Sequence, residues 1–281
     1  MEKPIATISR TREITERYNI RAKKGFGQNF LVDVSIAKRI ANSIPKDSIV
    51  IEVGPGIGSL TEQLAIHSKK VIAYEVDERL LPILEEELKE YSNIEVILKD
   101  FLECNLEEEL KEYKEPIYVA ANLPYYITSP VLFKLFESSL EFPIITVMMQ
   151  KEVAERFLAK PNSKEYGSIS VEGQHLYHIE RVCNAPKNAF LPAPKVDSVV
   201  LKFERKKDIL PVDNQNQFFT FIKGCFKQRR KTLYNNLREY LQDKEKAENV
   251  LEKMNYPMNI RAEELSLEEF INLYQIVKEQ G

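Results

Sequence analysis

From residue 49 to about residue 205, short β-branched runs alternate with stretches of helical spacing. That rhythm leaves few folds open: it predicts an α/β domain built on a mostly parallel sheet with helices on both faces. Strands are expected at residues 49–53, 71–76, 94–98, 117–121 and 144–149, with helices starting near Gly58, Glu78, Ser129 and Lys151. Two later runs, 178–182 and 196–203, read as a terminal pair of strands able to join the sheet edge antiparallel. Beyond the charged connector Glu204-Arg205-Lys206-Lys207-Asp208 the apolar spacing turns helical, as in Phe218, Phe219, Ile222 and Phe226 and again in Leu265, Leu267, Phe270, Leu273 and Ile276. Those side chains are expected to be the core of a small helical bundle rather than a stacking surface. The expected division is an N-terminal extension at 1–22, a large domain at 23–205 and a helical domain at 206–281.

Within the large domain, the buried strand Ile49-Val50-Ile51-Glu52-Val53 breaks into Gly54-Pro55-Gly56-Ile57-Gly58 and opens a helix. Glycines there let backbone pass close to a ligand, and a helix N-terminus adds a positive dipole. A dinucleotide fingerprint would need glycine at Ser59, and no Gly-Lys-Ser/Thr follows for a phosphate-binding loop. Glu75 ends the next strand, placed to accept the hydroxyls of a ribose. Asp100 follows the third strand, where its carboxylate could accept an adenine amino group. Either acid taken alone would more often be a helix cap or a surface charge. Three such features at successive strand ends point to an adenosine-containing cofactor.

After the fourth strand comes Asn122-Leu123-Pro124-Tyr125. An adenine amino nitrogen is a poor nucleophile because its lone pair is delocalised into the ring, so a catalyst must draw it towards tetrahedral geometry with hydrogen-bond acceptors. Asn122 can offer its side-chain oxygen, and Leu123 or Pro124 a backbone carbonyl. Proline stiffens the loop and Tyr125 can stack on a flipped base. An ordinary turn would explain the tetrapeptide in isolation; behind three cofactor features at strand ends, the catalytic reading is favoured. Tyr126 has no role beyond packing on this reading.

Formal net charge is −3, yet charge is unevenly spread. Glutamates crowd residues 85–115, while one basic segment runs through Arg10, Arg12, Arg17, Arg21, Lys23 and Lys24, and another through Lys223, Lys227, Arg229, Arg230, Lys231 and Arg238. Such asymmetry would give one face a field able to hold phosphates, although either cluster alone reads equally well as a solvated helix face. Cys104, Cys183 and Cys225 are widely spaced, and His67, His175 and His178 make no ligand pattern, so neither a disulfide framework nor a metal is expected. No apolar run resembles a secretory signal or a membrane span, which points to the cytoplasm.

These motifs, with Lys24-Gly-Phe-Gly-Gln28-Asn29-Phe30-Leu31, Asn122-Leu-Pro-Tyr-Tyr-Ile-Thr-Ser-Pro130, Gln150-Lys-Glu-Val-Ala-Glu-Arg156, Phe190-Leu-Pro-Ala-Pro-Lys-Val-Asp-Ser198 and Phe226-Lys-Gln-Arg-Arg-Lys-Thr-Leu233, make the chain closely resemble the small-subunit ribosomal RNA adenine N6,N6-dimethyltransferases. That is the family whose loss gives kasugamycin resistance in bacteria. The resemblance implies a Rossmann-like class I methyltransferase sheet with an antiparallel last strand, S-adenosyl-L-methionine as cofactor, and dimethylation of two adjacent adenosines in the 3′-terminal hairpin loop of 16S RNA within the immature small subunit. It implies that Asn29, Leu31, Gly54, Gly56, Glu75, Asp100 and Asn122 surround the cofactor. Phe190 would lie on the target base opposite Tyr125, completing a catalytic set with Asn122, Leu123 and Pro124. Lys23, Lys24, Lys227, Arg229, Arg230 and Lys231 would meet RNA phosphates. Three other readings stay open: a macrolide-resistance enzyme acting on large-subunit RNA, where Asn-Ile-Pro-Tyr is usual; a DNA adenine methyltransferase; and an assembly factor that only binds the subunit. A monomer is the default.

Overall fold

The computed structural model describes residues 3–20 and 28–279. Along the chain run α1 (Ile8–Arg17), β1 (Phe30–Leu31), α2 (Val34–Asn42), β2 (Ile49–Val53), α3 (Thr61–His67), β3 (Lys70–Glu75), α4 (Leu81–Glu87), β4 (Ile94–Leu98), α5 (Leu106–Glu109) and β5 (Ile117–Asn122). They are followed by α6 (Thr128–Glu137), β6 (Ile144–Gln150), α7 (Lys151–Leu158), α8 (Ser168–Leu176), β7 (Tyr177–Ala185), β8 (Phe190–Leu191) and β9 (Ser198–Arg205). The chain ends in α9 (Gln215–Cys225), α10 (Leu233–Leu241), α11 (Lys244–Lys253) and α12 (Leu267–Glu279).

Seven strands form one sheet in the order β4-β3-β2-β5-β6-β9-β7. Pairings from β4 through β6 are parallel, and β9 runs antiparallel to β6 with Ser198 opposite Gln150. The sheet is thus the expected mostly parallel one with an antiparallel end. Every residue of β2 is buried, as a central strand covered on both faces requires. From β2 the chain steps outward through β3 and β4, then returns to the other side of β2 as β5. That reversal opens a crevice beyond the carboxyl ends of β2 and β5, the place where open sheets of this kind receive ligands.

Two compact units divide the chain: Met1–Ala154 with Glu180–Arg205, and Glu155–Ile179 with Lys206–Gly281. The break after Arg205 coincides with the charged connector. Segment 155–179, which contiguity assigns to the large domain, instead belongs with the C-terminal helices. Its helix α8 is buried along most of its length, and His175 packs against Phe218 and Phe219 of α9 at ring distances of 5.1 and 6.0 Å. Phe218, Phe219, Ile222, Phe270 and Leu273 are fully buried, and Leu265 and Phe226 nearly so. They are core, as their spacing indicates.

Of the N-terminal basic cluster, Arg10 and Arg17 depart from their expected part in an open phosphate-binding field, Arg12 is exposed, and Arg21, Lys23 and Lys24 lie outside the described residues. Arg10 is 9% exposed and bonds Glu87 at 2.5 Å and Glu13 at 2.8 Å, while Arg17 reaches the same two carboxylates. The physical reason is that Glu87 is itself buried, its side chain 1% exposed, and a buried carboxylate needs cationic partners. Ile5 and Ile14 fasten this extension to Leu80, Ile83, Leu84 and Leu88 in one apolar cluster. Among the described residues no helix is long and apolar enough to cross a membrane.

Candidate active site

A cavity of about 990 Å³, counting its open mouth, lies at the crevice and is lined by Asn29, Leu31, Gly54, Gly56, Glu75, Asp100, Asn122, Leu123, Pro124, Tyr125 and Phe190. All residues named from the sequence for cofactor binding and for catalysis therefore line one chamber.

The glycine turn follows from its backbone. Gly54, Gly56 and Gly58 stand at φ of +71°, +62° and +92°, a region in which side-chain-bearing residues are strained. Helix α3 consequently starts at Thr61 rather than near Gly58. A Cβ on Gly54 would touch Pro124 at 3.8 Å, so this turn abuts the Asn-Leu-Pro-Tyr loop.

Glu75 is 5% exposed. Its Oε1 accepts the backbone N–H groups of Val76 and Asp77, both at 2.8 Å, and its Oε2 accepts that of Gly56 at 3.2 Å. Burial raises this carboxyl above the ordinary carboxylate range, and the Asp77, Val76 and Gly56 amides pull it back. Three of roughly four lone-pair positions are thus occupied, and the free one is on Oε2, so one ribose hydroxyl can be accepted there and a second on the same oxygen only by displacing the long Gly56 contact. The strand ends at Glu75 and leaves Val76 half exposed in the cavity wall. Asp100 is exposed and caps the turn after β4 by accepting Leu102 N–H at 2.9 Å through Oδ1, so its capping role and its place in the cavity coexist. Asp77 is held down to about 2 by Arg79 and is also bonded by Gln28.

Glu52 and Ser59 were not singled out from the sequence. Both are buried in the cavity wall, and Glu52 Oε2 and Ser59 Oγ make no hydrogen bond among the described residues. Polar atoms left in this state favour a polar ligand that can satisfy them. Burial, the Glu75 charge adding to it, pushes the Glu52 carboxyl up to about 8. The Thr61 hydroxyl opposes this from nearby but closes no hydrogen bond of its own.

On the other wall, Asn122 ends β5 beside Met148. The Pro124 carbonyl accepts both Ile127 N–H at 3.1 Å and the Thr128 hydroxyl at 3.3 Å. Of the two backbone acceptors considered, Leu123 is accordingly the one not drawn into the following turn. Tyr125 hydrogen-bonds Ser198 through its phenol at 3.0 Å. Phe190, 5% exposed, sits on β8 and pairs with Leu31 of β1, as Leu191 pairs with Phe30. Tyr126 is not packed: it is 55% exposed and lines the cavity, where Asp100 and Glu75 add to the burial that raises its phenol. Only its sequence position beside Tyr125 could have hinted at this.

In the second unit, Lys227 pairs with Glu239 at 2.7 Å, and the Arg229 guanidinium donates to the carbonyls of Lys164 and Tyr166. Arg230 and Lys231 are exposed and make no ion pair among the described residues. Lys23 and Lys24 lie outside the described residues. No cluster of His, Cys, Asp or Glu among the described residues could hold a metal, and all three cysteines are buried and free.

Residues 19–279 match the family model described as ribosomal RNA adenine dimethylase. The ribosomal RNA small subunit methyltransferase A of Bacillus mycoides strain KBAB4 is 46% identical, over 96% of each chain. Among solved structures, a dimethyladenosine transferase from Plasmodium falciparum superposes with TM-score 0.73 at 28% identity, covering 89% of this chain and 98% of its own. The 23S rRNA methyltransferase ErmE gives 0.65 at 27% identity, covering 89% and 100%.

Proposed function

The chain belongs to the ribosomal RNA adenine dimethylase family, and from that premise we propose how its own residues carry out N6-dimethylation of adenine in small-subunit ribosomal RNA. The single observation that carries the proposal is the gathering of Gly54, Glu75, Asn122, Tyr125 and Phe190 around one cavity at the sheet's reversal point.

S-adenosyl-L-methionine, when bound, supplies a methyl group made electrophilic by its sulfonium. The residues present fit such a group: a glycine turn in left-handed backbone, two unsatisfied buried oxygens and a carboxylate at the end of β3. Asn29, Leu31, Gly54, Gly56, Glu75, Asp100 and Asn122 would hold it. On the substrate side, Tyr125 and Phe190 sandwich the target adenine. In the first transfer the Asn122 side-chain oxygen and the Leu123 carbonyl accept its two amino hydrogens, and in the second one of them accepts the hydrogen that remains, turning the nitrogen lone pair out of conjugation; each transfer releases one amino proton to water. Pro124 fixes the loop by giving its carbonyl to the turn that follows. No charged base is required, because the amine becomes acidic as the new bond forms; rate comes from positioning and preorganised acceptors.

The substrate assigned is the hairpin loop with two adjacent adenosines near the 3′ end of 16S RNA, inside the immature small subunit, and the enzyme acts as a cytoplasmic monomer. Arg230 and Lys231 contact RNA phosphates, with Lys23, Lys24, Lys227 and Arg229 in the same role or in support. The likeness to ErmE is weaker than that to the small-subunit relative, and Leu123 stands where the large-subunit group usually has isoleucine.

Incubation with labelled S-adenosyl-L-methionine and, in parallel, unmethylated small subunits, large-subunit RNA and duplex DNA tests this. Dimethyladenosine is expected in the small subunit alone. Label in another acceptor, or tight subunit binding without transfer, would favour one of the rival readings. Asn122→Ala should cut turnover at least about a hundredfold with an unchanged melting temperature, and near-normal turnover would remove the mechanism.

A further inference from the structure

Two aromatic rings are assigned to the target base, and the fold holds them by different means. Phe190 is carried by β8, whose backbone is paired with β1. Tyr125 sits on the loop after β5 and is only partly buried, so its ring needs another restraint. Its phenol oxygen lies 3.0 Å from the Ser198 hydroxyl. Ser198 is the first residue of β9, 1% exposed, and stands opposite Gln150 in the antiparallel ladder.

The residue before it makes this anchor rigid. The Asp197 carboxylate accepts Lys187 N–H at 2.9 Å, and the Asp197 carbonyl accepts Lys151 N–H at 3.0 Å. The excursion from Lys187 to Asp197, which bears Phe190, is thereby closed on itself and tied to the end of β6. One backbone frame therefore fixes Phe190 directly and reaches Tyr125 through a single hydroxyl.

We infer that Ser198 is a positioning residue: its hydroxyl holds the Tyr125 side chain pointing to the place where its ring stacks on the target adenine. The phenol oxygen lies on the ring's own long axis, so a hydrogen bond there fixes the direction in which the ring points, the χ1 torsion, and keeps the ring from swinging out of the cavity wall. Phenylalanine at 125 would keep the stacking surface and lose the restraint. Alanine at 198 would lose the same restraint from the other side. Because the two groups act as a pair, their losses should not add.

The inference rests on the reading that Tyr125 stacks on the base, and a cycle of variants separates the two. Turnover on unmethylated small subunits is measured for Ser198→Ala, Tyr125→Phe, the double variant, Ser198→Thr and Tyr125→Ala, with S-adenosylhomocysteine affinity measured by calorimetry for each. Ser198→Ala and Tyr125→Phe should each lower kcat/KM for the subunit about five- to tenfold, the effect of one neutral hydrogen bond. The double variant should be no worse than either single one, Ser198→Thr should recover most of the loss, and S-adenosylhomocysteine affinity should not change. Additive losses, a threonine variant as impaired as alanine, or a loss confined to S-adenosylhomocysteine binding would overturn the role of Ser198. If Tyr125→Ala still abolishes turnover in that case, the stacking reading stands without it. Near-normal turnover by Tyr125→Ala would overturn both.

Discussion

Glu52→Gln isolates the electrostatic consequence of burying a carboxyl at the heart of the cavity. Glu52 is 1% exposed, its Oε2 has no hydrogen bond among the described residues, and desolvation lifts its carboxyl from 4.5 to about 8. Between those two values the folded protein keeps a proton that the unfolded chain has released. Folding stability must therefore fall as pH rises, by about 1.4 kcal/mol per pH unit, and level off above the folded value. From pH 6 to pH 8 this one group removes about 2 kcal/mol. Glutamine has the same length and nothing to titrate, so that slope should vanish from the variant. Glu75, whose carboxyl burial also raises, is present in both proteins and largely cancels in the comparison. Urea unfolding of wild type and variant at pH 6, 7 and 8 reads the effect directly: with an m-value of about 2–3 kcal/mol/M, the gap between midpoints should widen by about 0.7–1 M in the variant's favour. Midpoints that run parallel with pH would show that the carboxyl is solvated or paired in the folded state, and the argument would fail.

Arg10→Ala should destabilise the fold by about 3 kcal/mol, since it strips the shorter of two cationic contacts from a buried Glu87; denaturant midpoints check this, and the salt dependence of RNA binding should not move. Replacing both Arg230 and Lys231 by alanine should flatten the slope of log affinity against log salt by about 1.5 while leaving stability intact, as measured by filter binding to small-subunit RNA at several salt concentrations. Arg229→Ala should do the reverse, lowering the melting temperature through the lost carbonyl contacts at Lys164 and Tyr166 with less effect on that slope.

β2 was legible because it is buried on both faces and so reads as a nearly continuous apolar run, and β4, an edge strand with no fully buried residue, was legible from its β-branched residues alone; both begin and end where that pattern does. The glycine turn was legible for a stereochemical reason, its three positive φ angles. What composition could not carry was partnership. Arg10 belongs to the same basic run as Arg12 and Lys24, yet a carboxylate seventy-seven positions away decides its environment. Segment 155–179 reads as part of the sheet domain by contiguity, while its buried helix face is completed by Phe218 and Phe219. Strands of two residues, β1 and β8, are too short to leave any periodicity. Ser198 was visible as a letter in a motif, and its meaning came only from the phenol it faces.

Those two short strands also bear on timing. Leu31 and Phe190 are register partners, and the neighbouring Phe30 ring lies where a Cβ on Gly56 would meet it at 3.5 Å. Placing two methyl groups on one nitrogen requires that a spent donor depart and a fresh one arrive in between. On the proposed reading the donor compartment and the base slot share this one paired wall, so exchange of the donor and the hold on a half-finished adenine are coupled through the same backbone.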